Sequence, residues 1–96
     1  MTIEIKKFGN ILMSRPAGKE AFAAAKSYVL LGLALTADQP QEIVLDFAGV
    51  DVLAPSWADE FISGLKDLYK GAKISYLNTD NESVKASLAI LSKNNL

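Results

Sequence analysis

Cysteine and histidine are both absent from this chain of 96 residues. Without cysteine there is no disulfide framework and no thiolate chemistry, which suits a reducing compartment. Without histidine the chain lacks the commonest general base, the commonest zinc ligand and the ordinary physiological pH switch. The carboxylates do not follow a calcium-loop spacing, and neither a Walker A sequence nor GxGxxG occurs. A serine hydrolase needs a base to activate its hydroxyl, and no lysine pairs at a recognisable spacing with the serine singled out below. An enzyme is therefore not expected, nor a metal or organic cofactor. Long hydrophobic runs are missing too. The most apolar window, Ala21 to Leu35, is interrupted by Lys26 and falls short of the ~20 residues that span a bilayer. Met1 to Lys7 alternates as a strand does, unlike a signal peptide. The expectation is a cytoplasmic protein without a membrane segment.

Half of the residues are apolar, so the chain should fold rather than stay disordered. Its length supports a single domain over residues 1–96 that buries roughly 60–65% of its unfolded surface. The net charge of −1 hides an uneven distribution. Residues 1–36 carry five basic groups and two acids, residues 37–67 seven acids and one base, and residues 68–96 four bases and two acids. An acidic middle third repels phosphates and speaks against nucleic-acid binding there. It is compatible with a basic protein partner, and equally with an ordinary solvated surface.

Thr2 to Phe8 places Ile3 and Ile5 on one face and Glu4 and Lys6 on the other, the pattern of a half-buried strand. Gly9-Asn10 is a hairpin-type dipeptide, which makes Ile11 to Ser14 the returning strand. Pro16 suits a helix start, and Ala17 to Thr36 has high helix propensity. Phe22, Ala25, Val29 and Leu33 form its stripe, widened by Tyr28, Leu31 and Leu35. Tyr28 to Leu35 is apolar nearly all round, which fits deep burial or an interface, a homodimer among the options. After a loop at Ala37 to Pro40, Glu42 to Phe47 lacks alternation, as a central strand covered on both faces does. Ser56 to Lys70 reads as a helix with Trp57, Phe61, Leu65 and Leu68 inward and Asp59, Glu60, Lys66 and Asp67 outward. Gly71 can end it with positive φ, and Lys73 to Leu77 is the next strand. Thr79 and Glu82 stand at capping-box spacing before a last helix striped by Val84, Leu88 and Leu91. The order is β-β-α-β-α-β-α. The expected fold is an α/β mixed four-stranded sheet with an N-terminal hairpin and parallel crossover strands.

One hydroxyl, Ser56, falls where the loop after the central strand enters a helix. It has two readings. As an N-cap, with Pro55 holding the entering chain extended and Asp59 three residues on, it contributes roughly 1 kcal/mol. As a phosphoacceptor, it would set a phosphate against free amides and the positive end of the helix dipole, beside Asp59 and Glu60. Asp46 stands at the carboxyl end of the central strand, where α/β ligand sites occur, or accepts hydrogen bonds from loop amides. Asp59 and Glu60 complement the helix dipole as first-turn acids or present charge to a partner. Ser14 to Lys19 offers a hydroxyl and two cations near a helix start without the glycine pattern of a P-loop. The expected partner or ligand surface comprises Asp46, Asp51, Pro55, Trp57, Asp59, Glu60 and Arg15.

Hairpin, helix, IVLDFAGVDVLAPS and helix together resemble a STAS domain, the type found in sulphate transporters and anti-sigma factor antagonists. In those antagonists a strand ending in an L-D-L-like triplet runs through a short loop into D-S-S-G-L-G, whose second serine is phosphorylated by a partner kinase. Leu45-Asp46-Phe47 matches the triplet and Ser56 falls on the phosphoacceptor position. Ala54 replaces the acid, Pro55 the first serine, and Trp57 and Asp59 the two glycines. The chain is more closely similar to a bacterial STAS-like branch of undefined function. That similarity lies at Phe8-Gly9, Ser14-Arg15, Asp46-Phe47, Val50 and the block Ser56-Trp57-Ala58-Asp59-Glu60-Phe61, and covers Phe8 to Leu91. The resemblance implies a regulatory protein-binding module, anti-sigma factor antagonist-like, whose partner is a serine kinase of the histidine-kinase-like ATPase fold. The alternative is a small-molecule or anion-binding domain at the carboxyl edge of the sheet, lined by Asp46, Ser56 and Arg15.

Overall fold

The computed structural model describes residues 1–29 and 42–94, with side chains over 1–27 and 42–93. Among the described residues there are five strands and three α-helices. β1 is Thr2–Glu4, β2 Ile11–Leu12, β3 Glu42–Asp46, β4 Val52–Leu53 and β5 Lys73–Leu77; α1 is Arg15–Ala24, α2 Pro55–Leu68 and α3 Glu82–Asn94. A wider, π-type turn over Ala25–Val29 continues α1. Leu31, Leu33, Leu35, the side chains of Tyr28 and Val29, and the loop at Ala37 to Pro40 lie outside the described residues.

The expected hairpin does not form. β1 pairs in parallel with β3, and β3 with β5, so β3 is the middle strand of three; β2 pairs in parallel with β4. The mixed four-stranded sheet is thus replaced by three- and two-stranded parallel sheets. After β1 the chain makes a single 3-10 turn over Ile5–Phe8, closed by the Gly9 amide donating to the Lys6 carbonyl with Gly9 at φ 128°. A glycine at positive φ serves such a bend as well as a reversal. Two kinked ribbons, β1 to β2 and β3 to β4, therefore run side by side in the same direction. Asn10 carbonyl accepts from the Asp51 and Val52 amides, and Leu12 carbonyl from the Ala54 amide.

The core lies between one face of this layer and the helices. Ile3, Ile43 and Leu45 are buried on that face, while Glu42 is exposed and Val44 and Asp46 are half-buried. β3 therefore alternates after all, contrary to the two-sided burial its apolar run suggests. From α2 come Trp57, Ala58, Phe61, Ile62 and Leu65. Leu68 is 44% exposed and Tyr69 is buried instead, because the i, i+4 row through 57, 61 and 65 continues to 69. Trp57 stacks on Phe61 with centroids 5.2 Å apart and an interplanar angle of 8°, and Phe8 and Phe22 meet the same Phe61 ring. Gly71 takes φ 93° just beyond α2.

α3 starts at Glu82 and is capped by Asn81, whose Oδ1 accepts from the Val84 amide at 3.1 Å; Thr79 does not cap it. Val84 is fully buried, and Leu88 and Leu91 are half-buried. The helix is tied to β4 by two serines. Ser83 Oγ accepts from the Leu53 amide at 2.9 Å and donates to its carbonyl at 3.2 Å, and the buried Ser87 hydroxyl donates to the same carbonyl. These hydroxyls give β4 the backbone partners that a further strand would supply.

Candidate functional site

Because β2 and β4 are parallel and each runs into a helix within two residues, α1 and α2 begin side by side at one end of the molecule. Gly18 is buried there against α2. At the α1 start Ser14 adopts φ 76° and ψ 148°, a region that side chains other than glycine's rarely occupy, and its Oγ accepts from the Ala17 amide at 3.3 Å. Pro16 lies in the first turn.

α2 begins one residue earlier than expected. Ala54 is the cap and Pro55 the first helical residue, the place where a proline's fixed φ and missing N–H cost nothing. Ser56 is therefore the second helical residue, and its hydroxyl makes no capping bond; the capping box with Asp59 is not formed. The first intrahelical bond runs from the Ala58 amide to the Ala54 carbonyl at 3.1 Å. The amides of Ser56 and Trp57 precede it, and no described residue accepts from them or bonds the half-buried Ser56 hydroxyl.

Asp59 and Glu60 consequently fall in the second turn, away from the dipole end that a first-turn acid would complement. They are held instead by Arg15, whose Nη1 donates to Asp59 Oδ2 and Glu60 Oε1, both at 2.9 Å. Asp59 Oδ1 also accepts from the Ser63 hydroxyl at 3.2 Å. The Arg15 bond, helped by Ser63 and opposed by partial burial, holds the Asp59 carboxyl below the usual aspartate range. The two acids raise the Arg15 guanidinium above its ordinary value.

Asp46 and Asp51 lie on the other connections. Asp46 Oδ1 accepts from Asn78 Nδ2 at 2.7 Å and from the Ala48 amide at 3.0 Å, and these bonds lower its pKa. Asp51 Oδ2 accepts from Asn10 Nδ2 at 2.8 Å. Of the expected surface, then, the structure joins Arg15, Asp59 and Glu60, with Ser56 and Pro55 one turn earlier on the same helix. Asp46 holds the turn after β3, and Asp51 ties to Asn10 on the neighbouring ribbon. Trp57, 3% exposed, is core rather than surface.

Trp57 nonetheless closes the bottom of a groove of about 280 Å³ between β2 and α1, whose walls include Phe8, Ala17 and Glu20. Ile11 and Met13 on its rim are 59% and 56% exposed. In the sequence this pair belongs to the returning strand expected over Ile11 to Ser14. The available signal was two large apolar residues flanking the one that is buried, Leu12.

Among the described residues no group of three acidic side chains could hold a metal ion, and no helix is long and apolar enough to cross a membrane. Residues 28–84, more than half of the chain, match the family model described as a STAS-like domain of unknown function (DUF4325). The match takes in β3, β4, α2 with Ser56, and β5. No curated protein and no solved structure matches the chain.

Proposed function

The chain belongs to the STAS-like domain family of undefined function, and on that premise we propose that it is a regulatory protein-binding module whose docking face is switched by phosphorylation of Ser56. The observation that carries this reading is the state of the Ser56 hydroxyl. It is half-buried, free of any partner among the described residues, and set in the first turn of α2 directly before Trp57. Beside it run the two open amides of that turn, which favour a negative charge. Trp57, the following residue, lines the groove that leaves Ile11 and Met13 exposed, the kind of apolar surface a protein partner covers. A phosphate of about −1.5 to −2 charge at Ser56 would sit one turn from Asp59 and Glu60. It would compete with them for Arg15, the cation that ties α1 to α2. Such a charge changes the face at the helix starts while leaving the core untouched.

The resemblance to anti-sigma factor antagonists makes the partner a serine kinase of the histidine-kinase-like ATPase fold, acting in the cytoplasm. The alternative, a ligand site of Asp46, Ser56 and Arg15, has less support: Asp46 is committed to its turn and Arg15 to two acids. Phosphorylation by such a kinase, mapped by tandem mass spectrometry, tests the reading. Phosphate on Ser56 supports it; phosphate confined to other serines, with Ser56 unmodified, overturns it.

A further inference from the structure

A second cleft, of about 250 Å³, opens between α2, β5 and α3. Its floor is apolar, formed by Ile62, Leu88 and Leu91. Asp59, Ser63 and Lys66 line it from α2, and Tyr76 from β5. The polar groups around this floor are not equivalent. Both oxygens of Asp59 are engaged, Oδ2 by Arg15 and Oδ1 by the Ser63 hydroxyl, so the cleft's one carboxylate already has its donors. Lys66 is near enough to Asp59 to lower its pKa, yet its ammonium forms no ion pair among the described residues. The Tyr76 hydroxyl likewise bonds no described residue. Like any phenol it is protonated at neutral pH and able to donate, and burial only strengthens that by raising its pKa.

What the cleft offers is therefore one cation, Lys66, and two neutral hydroxyls, those of Tyr76 and Ser92, beside an apolar floor. Such a set recognises an acceptor with a single negative charge carried on an apolar body. A phosphate monoester, with its second charge, would lie against Asp59 with only one cation to balance it. The volume is slightly below the roughly 300–1,000 Å³ of pockets that take drug-sized molecules, which selects a smaller ligand. We propose that this cleft binds small amphipathic carboxylates, the carboxylate on Lys66 and Tyr76 and the apolar body on Ile62, Leu88 and Leu91. The site shares Asp59 with the Arg15 cluster but does not include Ser56, and its test does not depend on phosphorylation of Ser56.

The test is a titration of the isotope-labelled full chain, followed by amide chemical shifts, with three probes of one shape: phenylpropionate, phenylpropanol and phenylpropylamine. The carboxylate should shift amides of α2 and α3 around Ser63, Lys66 and Leu88 saturably, and bind about tenfold tighter than the amine, as one charge-assisted hydrogen bond provides. Lys66→Met should abolish that preference while phenylpropanol still binds, and Tyr76→Phe should reduce it. Both side chains are partly or fully exposed, so the variants keep the fold, which their melting temperatures verify. An amine that binds as well as the carboxylate, shifts scattered over the surface without saturation, or a carboxylate preference that survives Lys66→Met would overturn the proposal.

Discussion

Gly18 packs so closely on Trp57 that a β-carbon added to it would stand 2.7 Å from the Trp57 carbonyl oxygen. That oxygen belongs to the first turn of α2, so the contact fixes α1 against the turn that carries Ser56. Gly18→Ala must displace backbone and should destabilise the fold by about 1–3 kcal/mol, the usual cost of overpacking. Gly64 also approaches α1, but an added β-carbon there would meet the ring of Phe22, at 2.7 Å. A half-buried ring can swing where a carbonyl cannot. Gly64→Ala should cost less than Gly18→Ala, and urea denaturation of the two variants checks the order.

Ser14 stands at φ 76° with its hydroxyl capping α1. Glycine at this position relieves the backbone strain and loses only the cap; alanine loses the cap and keeps the strain. Ser14→Gly should be more stable than Ser14→Ala by about 1–2 kcal/mol, the reverse of their order in a helix interior. Thermal unfolding of both variants measures it.

The two serines that bind β4 should differ in cost. Ser87→Ala removes a donor from the Leu53 carbonyl, which keeps its bond from Ser83, and should cost about 0.5–1.5 kcal/mol. Ser83→Ala also strips the Leu53 amide of its acceptor, leaving an unsatisfied donor that costs about 1–3 kcal/mol. Equal losses in chemical denaturation would show that the Leu53 amide finds another partner.

Stability should fall on acidification through two aspartates. Asp46, held by Asn78 and the Ala48 amide, and Asp59, held by Arg15, both titrate below the ordinary value of 3.8. A depressed folded pKa means a contribution fully present above the unfolded pKa and lost as pH falls through the folded one. The melting temperature should therefore drop below about pH 4, with Asp46→Asn lowering stability at neutral pH and flattening that limb, so that the two chains converge in acid. Because the Arg15 and Asp59 side chains are about half exposed, at 50% and 42%, added salt should weaken the Asp59 share.

The elements were legible where their signal is local. Lys73 to Leu77, with apolar Ile74, Tyr76 and Leu77, reads as a strand after Gly71, and the strand spans those same five residues. The row Trp57, Phe61 and Leu65 is buried as its spacing requires. Pairing between distant segments was not legible. Gly9-Asn10 has the chemistry of a hairpin turn, and only the docking of β3 beside β1, some forty residues away in sequence, turns it into a bend. The ion pairs of Arg15 bridge separations of 44 and 45 residues, so Asp59 and Glu60 read as dipole partners until α1 and α2 are laid side by side. The start of α2 was misplaced by giving Ser56 the cap when Pro55 already fits the first helical position. That one-residue shift frees the hydroxyl on which the functional proposal rests.

Once a kinase partner is in hand, the most direct measurement is its affinity for the wild-type chain, Ser56→Ala and Ser56→Asp, each checked by melting temperature. Ser56→Ala should bind as wild type does. Ser56→Asp should bind about tenfold or more weakly, as a like charge set into a contact face does, with the fold intact. Equal affinity of all three chains would contradict a switch at Ser56.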